Sequence, residues 1–152
     1  MTATAENGWE LKIERRIAAP PAKVWDIMTN RIGEWWCPKP WRAEFSKLER
    51  HPGGASMCTM YGPDGEVHPH PGFVLAWEEG KRFAFTDAVV PDLMPAGPFM
   101  IGIWSIEPDG DGTRYTALCR HWTEADCKRH EEMGFIDGWG ACADQLVELC
   151  EK

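Results

Sequence analysis

The sequence predicts an α+β domain in which a seven-stranded antiparallel sheet packs against a long C-terminal helix, with two short helices after the first strand. Seven short segments alternate apolar and polar residues with period two, which is typical of half-buried strands. Turns rich in glycine and proline separate the later segments, and such turns join antiparallel neighbours. The end of the chain changes to the apolar spacing of a helix.

The first strand is predicted at residues 9–17, where Trp9, Leu11, Ile13 and Ile17 share one face. Arg15 interrupts that apolar face. An edge position, a bulge or a guanidinium directed into a cavity would each explain the arginine.

Two short helices are predicted to follow this strand. Pro20 and Pro21 suit a helix start, because the first turn does not use the N–H groups that proline lacks. Asn30 is expected to cap a second helix over residues 33–36, and Pro38 then ends it.

Six further strands are predicted as an antiparallel meander, each bounded by turn residues. They cover residues 41–48, 55–61, 67–77, 83–86, 99–106 and 113–121.

One long amphipathic helix is predicted from Glu124 to Cys150. Thr123-x-x-Asp126 resembles a capping box at its start. Its apolar residues recur at three- and four-residue spacing, namely Phe135, Trp139, Cys142, Leu146 and Leu149. Three glycines interrupt the pattern, namely Gly134, Gly138 and Gly140. Because each costs about 1 kcal/mol relative to alanine, we expect close approach to the sheet, space beside a ligand, or a kink.

Composition indicates one domain over residues 1–152, with residues 1–8 as a flexible N-terminus. Sixteen Lys and Arg against 24 Asp and Glu give a net charge of −8, which argues against nucleic acid as a partner. No apolar run approaches the roughly 20 residues of a membrane helix, so no membrane insertion is expected. The first residues lack the basic and apolar regions of a signal peptide, so we expect a cytoplasmic location.

The six cysteines are expected to be free thiols, since no signal peptide is recognised before them. The sequence contains no C-x-x-C pair and no Cys/His cluster with zinc-finger spacing. Neither a metal nor a cofactor is therefore expected.

Several motifs together resemble one known superfamily. Residues 17–25 read I-A-A-P-P-A-K-V-W, which is similar to the I-x-A-P-x-x-x-V-W opening of the START and birch-pollen-allergen (SRPBCC) superfamily. HPGG at 51–54, PDGE at 63–66, GFVL at 72–75 and RFAFT at 82–86 are similar to the branch named for the activator of the heat-shock-protein-90 ATPase. The pattern H-x-x-M-G-F-x-x-G-W at 130–139 resembles the closing helix of that branch.

The resemblance implies a helix-grip fold, in which a curved sheet wraps around the C-terminal helix. In many relatives a cavity between them holds an apolar molecule. The superfamily includes carriers, cyclases and proteins of no known activity, so the fold alone does not define function. The co-chaperone role belongs to eukaryotic relatives with an additional domain, which 152 residues are not expected to accommodate.

Large apolar side chains are the candidates to line such a cavity. They are Trp36, Trp41, Met60, Phe73, Met94, Trp104, Phe135 and Trp139, with His121, Tyr61, His70 and Arg120 at the rim. Since aromatic residues usually pack in the core, two or three of the eight are expected to touch a ligand.

Two histidine pairs are candidates for chemistry. His121 and His130 are expected to meet near the cavity mouth, where nearby carboxylates would orient a general base; these are Glu124, Asp126 and Glu131. The alternative is that these polar groups only satisfy the donors of a helix start. His68 and His70 share one strand face, but the prolines beside them favour a solvated strand end.

Three functions are compatible with these residues. The leading hypothesis is a non-catalytic carrier or sensor of a small apolar molecule. A cyclase or isomerase acting on a bound carbonyl or polyketide-like compound would need a buried histidine with a carboxylate partner. A protein-interaction module would show an exposed apolar patch over a filled interior. A homodimer is compatible with all three.

Overall fold

The computed structural model describes residues 9–152 as an α+β fold, so the predicted flexible N-terminus lies outside the described residues. The strands are β1 (Glu10–Ile17), β2 (Arg42–Leu48), β3 (Ala55–Tyr61), β4 (Val67–Glu78), β5 (Arg82–Thr86), β6 (Val89–Val90), β7 (Met94–Pro95), β8 (Met100–Asp109) and β9 (Gly112–His121). The helices are α1 (Pro21–Asn30), α2 (Ile32–Trp35), α3 (Glu124–Glu132) and α4 (Phe135–Cys150).

Seven strands form one antiparallel sheet in the order β1-β9-β8-β5-β4-β3-β2, which confirms the predicted fold class. The two short strands β6 and β7 pair with each other in the proline-rich connection. β1 lies at a sheet edge, which accounts for Arg15. Its Nε donates to Asp144 Oδ1 at 2.8 Å and ties the edge strand to α4.

Two of the three predicted helix starts are confirmed. α1 begins at Pro21, and Thr123 Oγ1 accepts from Asp126 N at 3.0 Å at the start of α3. The expected cap at Asn30 is wrong, because its side-chain amide donates to Asp26 Oδ1 within α1.

The predicted single closing helix is wrong, because the segment forms two helices that meet at Gly134. The φ of Gly134 is +97°, a left-handed conformation that an L-residue adopts only with strain, and it separates α3 from α4. A Cβ at Gly138 would meet nothing within 4 Å, whereas one at Gly140 would lie 3.3 Å from Arg15 Nη2. Gly134 therefore lies at the kink between the two helices, Gly138 faces open space, and Gly140 lies close to Arg15.

The main core lies between the sheet and α4. Fully buried residues from both layers meet there, including Ile17, Tyr115, Phe135, Ala143 and Leu146. All six cysteines are buried and unpaired, as the sequence predicts. Within residues 9–152, no helix combines the length and the apolar character needed to cross a membrane.

Candidate functional site

Three tryptophans from different parts of the fold meet between the sheet and α4. Trp36 follows α2, Trp104 lies on β8 and Trp139 lies on α4. The ring centroids are 5.3 Å apart for Trp36 and Trp104, 5.1 Å for Trp36 and Trp139, and 5.2 Å for Trp104 and Trp139. Phe83, which lies opposite Trp104 in the register of β5 and β8, stacks against its ring, and Phe135 packs beside Trp139. We call these five residues the aromatic cluster.

Strand periodicity and one glycine place the indole of Trp104. Residues two apart on β8 share a face, so Gly102 lies on the same side of the sheet as Trp104. A Cβ at Gly102 would lie 2.5 Å from Cη2 of that indole. Glycine therefore leaves the space in which the ring lies flat against the strand.

The indole nitrogen of Trp104 is buried and has no hydrogen-bond partner among residues 9–152. Trp104 itself is 3% exposed. Buried indole N–H groups usually have an acceptor, and leaving one unpaired costs free energy. The unpaired donor makes this point of the cluster suited to an acceptor on a bound molecule.

Two side chains of α4 hold the segment that contains Trp36, and Cys142 Sγ accepts from Cys37 N at 3.1 Å. Gln145 Nε2 donates to the carbonyl oxygens of Trp35 at 2.9 Å and Cys37 at 3.0 Å, and Gln145 Oε1 accepts from Lys39 N at 3.0 Å. Trp36 itself is only half-buried. It is therefore the member of the cluster that lies nearest to solvent.

The structure brings together five of the nine predicted binding residues, namely Trp36, Trp104, His121, Phe135 and Trp139. Contacts through His130 connect His121 to the others. Trp41 and Met60 pack in a smaller cluster with Cys37, Ala43 and Cys58, against which Trp36 also packs.

Phe73 and Met94 lie away from the aromatic cluster. Phe73 pairs with Thr86 on the other face of the sheet, in the register set by a bulge between Val74 and Ala76. Met94 is 57% exposed on β7.

The polar side chains predicted at the rim are also spread out. Arg120 Nε pairs with Glu10 Oε1 at 2.9 Å, and the Arg42 guanidinium lies 4.3 Å from the centroid of the Tyr61 ring. His70 is exposed, while the ring of His68 stacks on Trp41.

A groove of about 640 Å³ is lined by other residues, including Arg82 and Ser105 next to the cluster residues Phe83 and Trp104, and partly by charged side chains. Arg82 pairs there with Glu78, and Arg114 pairs with Asp109 just beyond the lining. This groove therefore contains charged groups, whereas the five residues of the aromatic cluster carry none.

Cys119, His121 and His130 form a buried group beside the aromatic cluster, which we call the Cys–His cluster. Cys119 and His121 are two apart on β9 and so share a face, and α3 carries His130 over them. His121 Nε2 lies 2.9 Å from His130 Nδ1. Cys119 Sγ lies 3.6 Å from the first nitrogen and 3.5 Å from the second.

Hydrogen bonding indicates which ring nitrogens of the two histidines carry a proton. His121 Nδ1 lies 3.0 Å from the carbonyl oxygen of Trp9, which only accepts, so this nitrogen carries the proton. His121 Nε2 is then the acceptor for Nδ1–H of His130. Burial, with the neighbouring His121 and Arg129, lowers the pKa of His130 to about 4. His130 is therefore neutral near pH 7.

A backbone carbonyl, and not the expected carboxylate, accepts the hydrogen bond from the histidine pair. The oxygen at His121 Nδ1 is a backbone carbonyl, while Glu124 pairs with Lys128 and Asp126 with Arg129. Both carboxylates form ion pairs within α3, so they do not polarise the imidazoles.

Sequence reasoning found both histidines but missed Cys119 and Met100. Burial raises the pKa of the Cys119 thiol, whose sulfur lies 3.2 Å from Met100 Sδ. Met100 lies opposite His121 in the register of β8 and β9. The C-x-H spacing on one strand was the available signal for Cys119.

The sheet closed by a C-terminal helix, with aromatic side chains between the two layers, defines a helix-grip domain. The chain belongs to the family of Activator of Hsp90 ATPase homolog 1-like proteins, whose model matches residues 18–151. No curated protein matches the chain.

Solved structures agree with this assignment. A protein from Nitrosomonas europaea is 37% identical, with 92% of each chain covered and a TM-score of 0.86. A protein from Mycobacterium smegmatis is 25% identical over 93% of this chain and 90% of its own, with a TM-score of 0.78. The AHSA1 protein from Silicibacter pomeroyi shares the fold at 20% identity, with 91% and 95% covered and a TM-score of 0.69.

Proposed function

We propose that the protein binds a small hydrophobic molecule between the sheet and the C-terminal helix, as a non-catalytic carrier or sensor in the cytoplasm. The family fold is compatible with binding of this kind. The observation that carries the proposal is the buried indole N–H of Trp104, which lies within the aromatic cluster and has no hydrogen-bond partner among residues 9–152.

The composition of the cluster favours a flat, mostly apolar ligand with one hydrogen-bond acceptor. Indole and phenyl rings offer stacking surfaces, and the buried N–H of Trp104 favours an acceptor on the ligand. The three tryptophan rings are in mutual contact, so binding requires one of them to move. The half-buried Trp36 is the ring that moves at least cost, because it is nearest to solvent.

Two ligands that differ in one acceptor test this proposal. 2-Acetylnaphthalene carries a carbonyl oxygen, and 2-ethylnaphthalene has the same shape without it. Each is titrated by displacement of N-phenyl-1-naphthylamine, an uncharged fluorescent probe. We expect about one site per chain, affinities of about 1 μM to 100 μM, and about a fivefold preference for the ketone.

Two tryptophan variants test whether the preference for the ketone depends on the indole N–H of Trp104. Trp104→Phe keeps an aromatic ring without the N–H and should abolish the preference for the ketone. Trp122→Phe, at a 43% exposed tryptophan outside the cluster, should retain it. Absence of saturable binding to the folded protein would overturn the proposal and favour the interaction module.

The buried histidine pair favours an enzyme as the second candidate, since the His130 ring lies 5.1 Å from Phe135 and 5.9 Å from Trp139. A neutral imidazole there could remove a proton beside a ligand carbonyl. Deuterium incorporation into the methyl group of 2-acetylnaphthalene in D₂O measures this reaction. A rate equal to that in buffer supports a carrier. A faster rate that falls about 10²- to 10⁴-fold in His121→Ala supports the enzyme.

A further inference from the structure

We propose that Cys119, His121 and His130, with Met100 as the fourth donor, form a binding site for one Cu(I) ion. The proposal is independent of the apolar ligand, because it uses the Cys–His cluster rather than the tryptophan rings. It assigns a metal to a sequence in which the cysteine and histidine spacing predicts none.

The donor atoms already have the separations of a coordination sphere. All three ligand atoms lie within 4.8 Å of one another. An ion with bonds of about 2.0 Å to nitrogen and 2.3 Å to sulfur, in tetrahedral geometry, separates two nitrogens by about 3.3 Å and nitrogen from sulfur by about 3.5 Å. The observed separations are 2.9 Å, 3.5 Å and 3.6 Å. Among these three ligands, only the histidines need to move apart, by a few tenths of an ångström.

One histidine is held in the orientation that a metal ligand needs. Ligating imidazoles almost always donate their other N–H to a carboxylate, a carbonyl or water. His121 Nδ1 faces the carbonyl oxygen of Trp9 at 3.0 Å, so the lone pair of Nε2 is directed toward Cys119 and His130. This arrangement is ready before any ion arrives.

The donor types favour Cu(I) over harder cations. A thiolate, a thioether and two imidazoles form a soft set, and Met100 Sδ lies only 3.2 Å from Cys119 Sγ. Methionine is a ligand for copper rather than for zinc, and no carboxylate takes part. The thioether must withdraw slightly from Cys119 to share the ion.

Burial also favours a monovalent ion. Cys119 is 0% exposed, and His121 and His130 are 5% and 8% exposed. A univalent cation with one thiolate is neutral overall, whereas a divalent ion would leave a net charge in the interior, where charges are costly. The Phe99 ring covers the site, with its centroid 4.9 Å from that of His130.

Copper binding at this site requires proton transfers but no change of oxidation state. The Cys119 thiol loses its proton to solvent as the Cu–S bond forms. The Nδ1 proton of His130 moves to Nε2, which frees Nδ1 for the ion. Copper arrives and remains as Cu(I), so no oxidant or reductant takes part.

Anaerobic titration of Cu(I) into the whole protein, in competition with bicinchoninate, tests the site. We expect one tight ion per chain, with affinity about a hundredfold or more lower in Cys119→Ser and in His130→Gln. Cys150→Ser is the matched control, because that buried thiol lies at the end of α4, and it should change the affinity less than twofold. Cys119→Ala removes the donor without burying a hydroxyl if the serine variant does not fold.

X-ray absorption at the copper edge gives a second readout. Two nitrogen and two sulfur neighbours are expected, with one sulfur lost in Met100→Leu. Folded Cys119 variants that keep wild-type affinity, equal losses in the Cys119 and Cys150 variants, or a copper ion without sulfur neighbours would each overturn the proposal.

Discussion

Adding one methyl group at Gly102 tests how closely the indole of Trp104 lies against β8. The new Cβ would stand 2.5 Å from Cη2 and 2.7 Å from Cζ3 of that ring, well inside contact distance. Overpacking of this kind costs about 1–3 kcal/mol. Alanine recovers part of this, about 0.5–1 kcal/mol, because glycine in a strand interior is itself unfavourable. We expect Gly102→Ala to lower the free energy of unfolding by about 1–2 kcal/mol.

The assay is urea unfolding followed by far-ultraviolet circular dichroism, arranged as a double-mutant cycle with Trp104→Leu. Leucine lacks the two ring atoms that meet the new methyl group, so Gly102→Ala should cost little in that background. Gly97→Ala is the control, because a Cβ there meets nothing within 4 Å. An equal cost of Gly102→Ala in both backgrounds would refute the reasoning.

Three other measurements test the closing helices and the Cys–His cluster. Gly134→Ala should lower the free energy of unfolding by about 1–2 kcal/mol because of the positive φ, whereas Gly138→Ala should raise it by about 0.5–1 kcal/mol, as urea unfolding would show. The pKa of His130 is about 4 when folded and near 6.5 when unfolded, so the unfolded state takes up the proton first. Stability should therefore fall from pH 6.5 toward pH 4, by at most about 1.4 kcal/mol per pH unit, and His130→Gln should lose this slope. All six thiols should react after denaturation without reductant, while Cys119 and Cys142 react slowly in the folded state because burial raises the pKa of both; fewer than six reactive thiols after anaerobic purification would contradict this.

Pairing of strands that follow each other along the chain was predictable, because period-two alternation identifies each strand and glycine or proline turns join antiparallel neighbours. The pairing of β1 with β9 was not predictable in this way, because it joins the first and last strands of the chain. The closing helices were harder to predict, since their apolar spacing continues across Gly134. The helical pattern does not reveal a positive φ, which is a property of the folded backbone.

The candidate site was predictable where periodicity gives a face. Trp104 and Trp139 follow from their strand and helix patterns, and His121 with His130 from the ends of adjacent elements. The position of Phe73 could not be predicted from periodicity, because a bulge in β4 sets the register of this strand. Its neighbour Val74 is the buried residue instead. The proximity of Met100 to His121 depends on the register between β8 and β9, which the sequence does not reveal. Met94 lies in a connection without periodicity.

The direct test of apolar binding within the helix grip is fluorine NMR of protein labelled with 5-fluorotryptophan, titrated with 2-acetylnaphthalene. The sequence has nine tryptophans, and single Trp→Phe variants assign their resonances. We predict that Trp36, Trp104 and Trp139 shift together and saturate at one ligand per chain, while exposed Trp122 does not shift. Shifts confined to Trp122, or resonances of the three that stay unchanged at saturating ligand, would contradict binding at the aromatic cluster.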